Sequence, residues 1–347
     1  MSLPPRLRSI GVAVPPYVLD QTVVRKYAAS LFGERHDIAR LLSIFENTGI
    51  HRRYSCVPIE WYAEPHGWVD RTAIYLDSAA SLLEEVALKC LREADLPREA
   101  IDMIVVASTT GIATPSLDAL VVERLQLRRD IRRLPIFGLG CAGGVTGLAR
   151  AGDLARANPQ SNVLFLVVEL CALTFRRNDL DKSNLVATAL FGDGAAGAIV
   201  SCAGSGSRLT AAGEYTWPDS LDIMGWDVEE NGLKARFARS IPSLVESDMA
   251  RIATSFLAQN DLKLSDIDRF ACHPGGAKVL DALEAAFGLD AGALVESREV
   301  LRDYGNMSAA TALFVLARMK QATGAQRTLL SALGPGFSAT FLVLEGE

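Results

Sequence analysis

The 347-residue sequence predicts an α/β fold made by internal duplication. Three observations carry that prediction. Short apolar runs alternate with longer amphipathic segments, blocks of residues recur about 165 positions apart, and each half closes on Gly-X-Gly followed by an apolar strand.

The alternation is clearest in the first half. Met103-Ile104-Val105-Val106-Ala107 and Val163-Leu164-Phe165-Leu166-Val167-Val168 are apolar runs of strand length. Between them, residues from about 141 to 157 carry helical spacing and few β-branched side chains. Strands and helices in turn build layered α/β domains. The recurrence is more telling. Asp95-Leu96 and Ile101-Asp102 return as Asp261-Leu262 and Ile267-Asp268, each time after a helix-like stretch (about 73–94 and 245–259) and before a strand. Gly140-Cys141 pairs with Gly305-Asn306, Thr146 with Thr311, Leu148 with Leu313 and Leu164 with Leu329. One shared dipeptide would mean nothing; several at near-constant offset, inside equivalent elements, argue against chance. The period is far longer than that of solenoid repeats, so a duplicated domain is expected. Gly192-Asp193-Gly194 and Gly334-Pro335-Gly336 mark the ends of the halves. The flexible stretch Gly204-Ser205-Gly206-Ser207 divides the chain into residues 1–203, which carry Cys141, and 204–347, which carry His273 and Asn306.

The totals narrow the class. Apolar residues make up 49% and charged residues 22%, the composition of a globular protein rather than a disordered one. A net charge of −6 disfavours a general nucleic-acid or anionic-membrane binder. No window of about 18 residues is apolar throughout, so no membrane span is expected. Met1-Ser2-Leu3-Pro4-Pro5-Arg6 leads into no long apolar run and does not read as a signal peptide. The six cysteines form no CxxC pair, which removes the usual zinc and thioredoxin-type readings. Free thiols fit a cytoplasmic protein.

The duplication sets Cys141 and Asn306 at equivalent points, each where a helix begins. If the halves pack with pseudo-twofold symmetry, the two face each other across an interface, a natural place for a site. Cys141 lies in Phe137-Gly138-Leu139-Gly140-Cys141-Ala142-Gly143-Gly144. The glycines allow a tight turn and close substrate approach. A helix starting there would aim free N–H groups at the sulfur and lower the thiol pKa. An arbitrary cysteine is a buried packing residue, and the other five are read so. His273, in Cys272-His273-Pro274-Gly275-Gly276, follows a strand-like run and sits at a loop rim, where it can pair with a thiolate or donate to an oxyanion. His36, His51 and His66 read as surface or packing histidines. Asn306 after Gly305 would ordinarily be a turn residue, but its neutral amide can also stabilise an enolate without protonating it.

Gly140-Cys141-Ala142-Gly143-Gly144, His273-Pro274-Gly275-Gly276, Tyr304-Gly305-Asn306-Met307-Ser308 and Gly334-Pro335-Gly336 together resemble the signature blocks of the chalcone and stilbene synthase superfamily, the type III polyketide synthases. The resemblance runs from Ile10-Gly11 and Ile50-His51-Arg52-Arg53-Tyr54 to the C-terminus and favours the bacterial type. It implies a thiolase fold, a duplicated five-layered α/β/α/β/α architecture, and a homodimer. It implies that Cys141 takes an acyl group from a coenzyme A thioester. His273 and Asn306 would then stabilise the enolate formed by decarboxylation of malonyl-CoA, which attacks the Cys141 thioester. Coenzyme A thioesters are substrates, and no cofactor is implied. Phe191 matches an aromatic gatekeeper between coenzyme A tunnel and cavity, while Glu169, Cys171 and Thr174 match cavity-lining positions. Ser308 and Gly336, inside two of the blocks, are substrate-binding candidates. Thr114 falls where such dimers reach into the partner's cavity, and Arg40 where a coenzyme A phosphate is held.

Departures bear on the substrate. Cys171 stands where plant chalcone synthases usually carry threonine, and their second gatekeeper aligns near Ala235, where a small residue would leave room. A larger apolar cavity would suit a fatty acyl starter and alkylpyrone or alkylresorcinol products. Two phosphate-binding basic positions of the plant enzymes are replaced by Ser43 and Asn47. The run Arg128-Arg129-Asp130-Ile131-Arg132-Arg133 reads as a solvated turn of mixed charge. Rival readings are a ketoacyl synthase III-like enzyme of fatty-acid synthesis, a thiolase, a cysteine hydrolase and a scaffold. A ketoacyl synthase usually has Gln-Ala-Asn after the histidine, where this chain has Pro274-Gly275-Gly276. A thiolase would want a second cysteine near Gly334-Pro335-Gly336. A papain-like hydrolase would leave the duplication unexplained.

Overall fold

A computed structural model describes residues 4–31, 38–179, 181–230, 232–319 and 324–347. The first half runs β1 (Arg6–Ala13), β2 (Tyr17–Asp20), α1 (Gln21–Leu31), α2 (Ile38–Glu46), β3 (Arg52–Ser55), α3 (Trp68–Glu93), β4 (Ile101–Ala107), α4 (Leu117–Arg124), β5 (Arg132–Ile136), α5 (Gly143–Ala157), β6 (Asn162–Leu170), α6 (Lys182–Leu190) and β7 (Asp193–Ser201). The second runs β8 (Ser207–Thr216), β9 (Met224–Glu229), β10 (Gly232–Phe237), α7 (Ile241–Ala258), β11 (Arg269–Cys272), α8 (Ala277–Phe287), α9 (Val295–Tyr304), α10 (Thr311–Arg318), β12 (Arg327–Gly334) and β13 (Ser338–Glu345).

The two halves repeat one topology. Nine strands follow the order β11-β12-β13-β8-β1-β7-β6-β4-β5, joined at the centre where Arg6 and Leu7 pair with Arg208 and Ser207. In the first half β4 and β6 are parallel, and β6–β7 and β7–β1 antiparallel. In the second, β11 and β12 are parallel, and β12–β13 and β13–β8 antiparallel. Only β5 has no counterpart among the described residues. The recurring aspartates have matching roles. Asp95 and Asp261 both take a left-handed φ, of 51° and 57°, where the helix ends. Asp102 accepts the Asn162 amide at 2.9 Å, and Asp268 the Arg327 amide at 2.7 Å, each anchoring the start of the neighbouring parallel strand.

The layering follows from which faces are apolar. Along β6, Leu164, Leu166 and Val168 pack with α3, whereas Val163, Phe165 and Val167 pack with α5, so both faces are buried. Along β12, Leu330 joins the core around α5 and α10, and Leu329 and Leu333 face α7 and α8. The result is five layers: α3, the first half's strands, α5 with α10, the second half's strands, and α7 with α8. The predicted strands and helices fall in β4, β6, α3, α5, α7 and β11 with shifts of a few residues at their ends. Arg132 and Arg133 of the basic run open β5, and the two arginines before it are paired: Arg128 bridges Asp102 and Asp130, and Arg129 bridges Glu123. No helix among the described residues is long and apolar enough to cross a membrane.

Candidate active site

Three chain segments converge where the halves meet. Cys141 lies in a single 3₁₀ turn, Gly140–Ala142, immediately before α5. Close packing explains its glycines: a Cβ at Gly140, whose φ is +47°, would sit 2.7 Å from Pro335, and one at Gly144 would sit 2.1 Å from the Ala309 carbonyl oxygen. The Cys141 turn is therefore pressed between the Gly334-Pro335-Gly336 turn and the Ser308–Ala310 turn that precedes α10. Gly140 also donates its amide to Thr109 Oγ1 at 3.0 Å.

Asn306 is held on both sides of its backbone. Its amide donates to the Leu190 carbonyl at 2.8 Å, and its carbonyl accepts from Gly192 at 3.0 Å. Its side-chain orientation is set by hydrogen bonding: Oδ1 accepts the Ser308 amide at 2.8 Å, and Nδ2 donates to the Gly275 carbonyl at 3.3 Å. The acceptor end is thus occupied, and the second Nδ2 proton remains for the site. Ser308 takes a left-handed φ of 46°, unusual for serine, and its carbonyl is held by Thr311 Oγ1 at 2.9 Å. Cys141 Sγ lies within hydrogen-bonding reach of the Ser308 and Asn306 side chains. His273 directly follows β11, its amide donating to the Ser331 carbonyl at 2.8 Å.

Burial dominates the electrostatics. Cys141 is 6% exposed, His273 4% and Asn306 3%. Both ring nitrogens of His273 are buried without a hydrogen-bond partner in the protein, and desolvation drives its pKa down to about 3, so the imidazole is neutral. The lowered thiol pKa expected for Cys141 is not found. Burial pushes the thiol up to about 12, and hydrogen bonds from Ser308 and Asn306 do not offset it.

The other expected residues divide. Cys171, Thr174 and Phe191 line an apolar cavity together with Leu19, Val24 and Ala28. Glu169 does not line it. It is wholly buried in β6, its Oε2 accepting the Thr109 and Thr110 amides at 3.0 Å each, because the turn carrying Gly140's partner needs an acceptor there. Burial raises its carboxyl to about 7. Gly336 sits in the β12–β13 turn, its carbonyl accepting from Ser220 Oγ at 3.1 Å. Thr114 is exposed on the loop before α4 and does not line the cavity of Cys171 and Phe191. Arg40 falls within α2, but its side chain lies outside the described residues, as does the whole of His36. His66 stacks on Trp61 with ring centroids 3.8 Å apart, a packing role.

The room expected at Ala235 is filled from across a hairpin. Ala235 pairs in register with Trp226 on β9. Trp226 and Phe237 pack on Phe191 with ring centroids 5.7 and 5.6 Å away, so an indole supplies the bulk that position 235 lacks.

Two buried ionic residues next to this cavity, Arg53 and Asp193, escaped the sequence reading. Arg53 Nη1 donates to the Thr188 and Phe191 carbonyls at 2.6 and 2.9 Å. Asp193, the middle residue of Gly192-Asp193-Gly194, accepts the Cys56 and Ala172 amides at 2.9 and 2.8 Å. The Gly-X-Gly motif signalled Asp193 only as the end of a repeat, and Arg53 was one basic residue in the run Arg52-Arg53-Tyr54.

Residues 4–204 match the family model for the N-terminal domain of chalcone and stilbene synthases, and residues 208–346 match that for the C-terminal domain. A Bacillus subtilis (strain 168) protein provisionally named a chalcone synthase is 38% identical, with 98% of each chain covered. A 1,3,6,8-tetrahydroxynaphthalene synthase of Streptomyces peucetius subsp. caesius is 37% identical, covering 97% of this chain and 92% of that one. The crystal structure of the 1,3,6,8-tetrahydroxynaphthalene synthase of Streptomyces coelicolor A3(2), a bacterial type III polyketide synthase, superposes with a TM-score of 0.95 at 31% identity over 99% of each chain.

Proposed function

The chain belongs to the chalcone and stilbene synthase family, the type III polyketide synthases, and on that premise we propose how its own residues extend an acyl chain. Cys141 gives its proton to His273 and attacks the starter thioester; coenzyme A leaves as the thiol, taking that proton from His273, and the acyl group stays on Sγ. Malonyl-CoA then loses its carboxylate as carbon dioxide. The electron pair of the broken C–C bond becomes an enolate whose oxygen is met by His273 N–H and Asn306 Nδ2. The enolate carbon attacks the acyl carbonyl, Cys141 leaves as thiolate, and the chain, longer by two carbons, stays on coenzyme A for reloading and eventual cyclisation. Negative charge grows on oxygen in each step, so fixed donors in a water-poor site carry most of the stabilisation. Each step is redox-neutral overall, the electron pair released by decarboxylation staying on the enolate, and none calls for a redox cofactor.

One observation carries this reading: a neutral, buried imidazole without a protein partner stands with an amide whose acceptor end is already taken. Unsatisfied buried donors of this kind are costly unless a ligand uses them. The ketoacyl synthase III alternative gives way to the family match across both halves.

The finer reading concerns starter and product. The apolar walls around Cys171 and Phe191 favour an alkyl starter, such as a fatty acyl group, and therefore alkylpyrone or alkylresorcinol products. A second reading, a naphthalene product, is favoured by the names of two relatives. Purified protein incubated with malonyl-CoA alone, and with acyl-CoA starters from acetyl to dodecanoyl, separates them by product mass. Alkyl-bearing products support the first reading; a tetrahydroxynaphthalene from malonyl-CoA alone overturns it. The units of function are residues 1–203 and 204–347. Two copies pair through β5, an edge strand whose Leu134 is exposed together with nearby Ile112 and Phe137, which would bring Thr114 towards the partner. The protein works in the cytoplasm with its thiols free.

A further inference from the structure

We infer that Arg53 is the positioning residue that holds the Phe191 gate, an inference that rests on the reading of Phe191 as a gate. Arg53 is 1% exposed and lines the cavity together with Thr188 and Phe191, at the segment that leaves α6. Its Nη1 donates to the carbonyls of Thr188 and Phe191, acceptors that the end of a helix otherwise leaves open. Its stem fills the space under the next residue: a Cβ on Gly192 would approach the Arg53 Cβ to 3.0 Å. The opposite edge of the segment is tied to Asn306 through the Leu190 carbonyl and the Gly192 amide. Phe191 therefore hangs between a buried guanidinium and the enolate donor, with its ring against Trp226 and Phe237.

A packing role alone explains this arginine poorly. Burying a guanidinium is expensive, and here Nε has no partner and the charge has no carboxylate at ion-pair distance among the described residues. Asp193 acts on it only through space, its own oxygens being taken by the Cys56 and Ala172 amides. Methionine would fill much of the same volume without the desolvation. What methionine cannot do is reach two carbonyls on either side of the gate.

The test measures kcat/KM for dodecanoyl-CoA relative to acetyl-CoA in Phe191→Ala, Arg53→Met, Arg53→Lys and the double variant Phe191→Ala/Arg53→Met. Phe191→Ala changes the ratio if the gate reading is right; an unchanged ratio there overturns that reading and the inference with it. Given a working gate, Arg53→Met is expected to move the ratio in the same direction by about fivefold or more, and the double variant to show no further change, as coupled residues do. Arg53→Lys, which keeps a donor and the charge, is expected to fall between. A folded Arg53→Met with the wild-type ratio, or an effect that adds in full to Phe191→Ala, overturns the inference. If Arg53→Met does not fold, Arg53→Lys decides in the same way, alone and combined with Phe191→Ala.

Discussion

Replacing Asn306 by aspartate exchanges a donor for an acceptor with almost no change in shape. The Ser308 amide can still be accepted as it is now, at 2.8 Å. The other oxygen, in place of Nδ2, would then face the Gly275 carbonyl, now 3.3 Å away, and the growing enolate. Losing the donor alone, as in Asn306→Ala, costs about 10²–10³ in rate, or about 3–4 kcal/mol. A carboxylate adds repulsion of about 4 kcal/mol for two unit charges ~4 Å apart at an effective dielectric of ~20. Malonyl-CoA decarboxylation, followed by acetyl-CoA formation at pH 8, should therefore rank wild type far above Asn306→Ala, and Asn306→Ala above Asn306→Asp. Lowering the pH should bring the last two together as the buried carboxyl takes a proton. Acyl loading of Cys141, read by intact-protein mass, should persist in both variants. Decarboxylation by Asn306→Asp at the wild-type rate would refute the assignment of Asn306 as an enolate donor.

Cys141→Ala should abolish acyl loading and product while leaving the circular dichroism spectrum unchanged; any product from it would remove Cys141 from the mechanism. Trp226→Ala should widen the passage beside Phe191 and raise the relative use of long acyl-CoA starters, read as product distribution by mass spectrometry. Glu169 gives a pH prediction. Its folded pKa is about 7 against an ordinary 4.5, so the folded state holds the extra proton between those values. Stability from this group is full below about pH 4.5 and is lost as pH rises towards 7, by about 3 kcal/mol. Glu169→Gln keeps an acceptor for the Thr109 and Thr110 amides without the charge. Its melting temperature should gain on the wild type from pH 5 to pH 8, and a constant difference would count against a buried, titrating Glu169.

The duplication was legible because it is written in residues with the same local task in both halves. Asp95 and Asp261 end a helix in the left-handed region, and Asp102 and Asp268 pin a parallel strand. Local tasks leave local signatures. The meeting of Cys141 with Asn306 followed from the pseudo-symmetry of those same halves. What the sequence could not show depends on pairing and depth. Trp226 opposite Ala235 is a matter of hairpin register. The burial that raises the Cys141 thiol comes from residues far along the chain, the Pro335 and Ala309 turns. Glu169 reads as a polar cavity residue until its backbone amide partners are seen. Arg53 resembles any surface arginine until α6 is found packed over it.

The most direct test is to locate the acyl group. After incubation with an acyl-CoA, peptide mass mapping should place the acyl mass on the Cys141 peptide and on none containing Cys56, Cys90, Cys171, Cys202 or Cys272. Adding malonyl-CoA should clear it while carbon dioxide is released and a product longer by two carbons per malonyl unit forms. An acyl group on another cysteine, or one that stays on Cys141 when malonyl-CoA is consumed, would contradict decarboxylative condensation at this site.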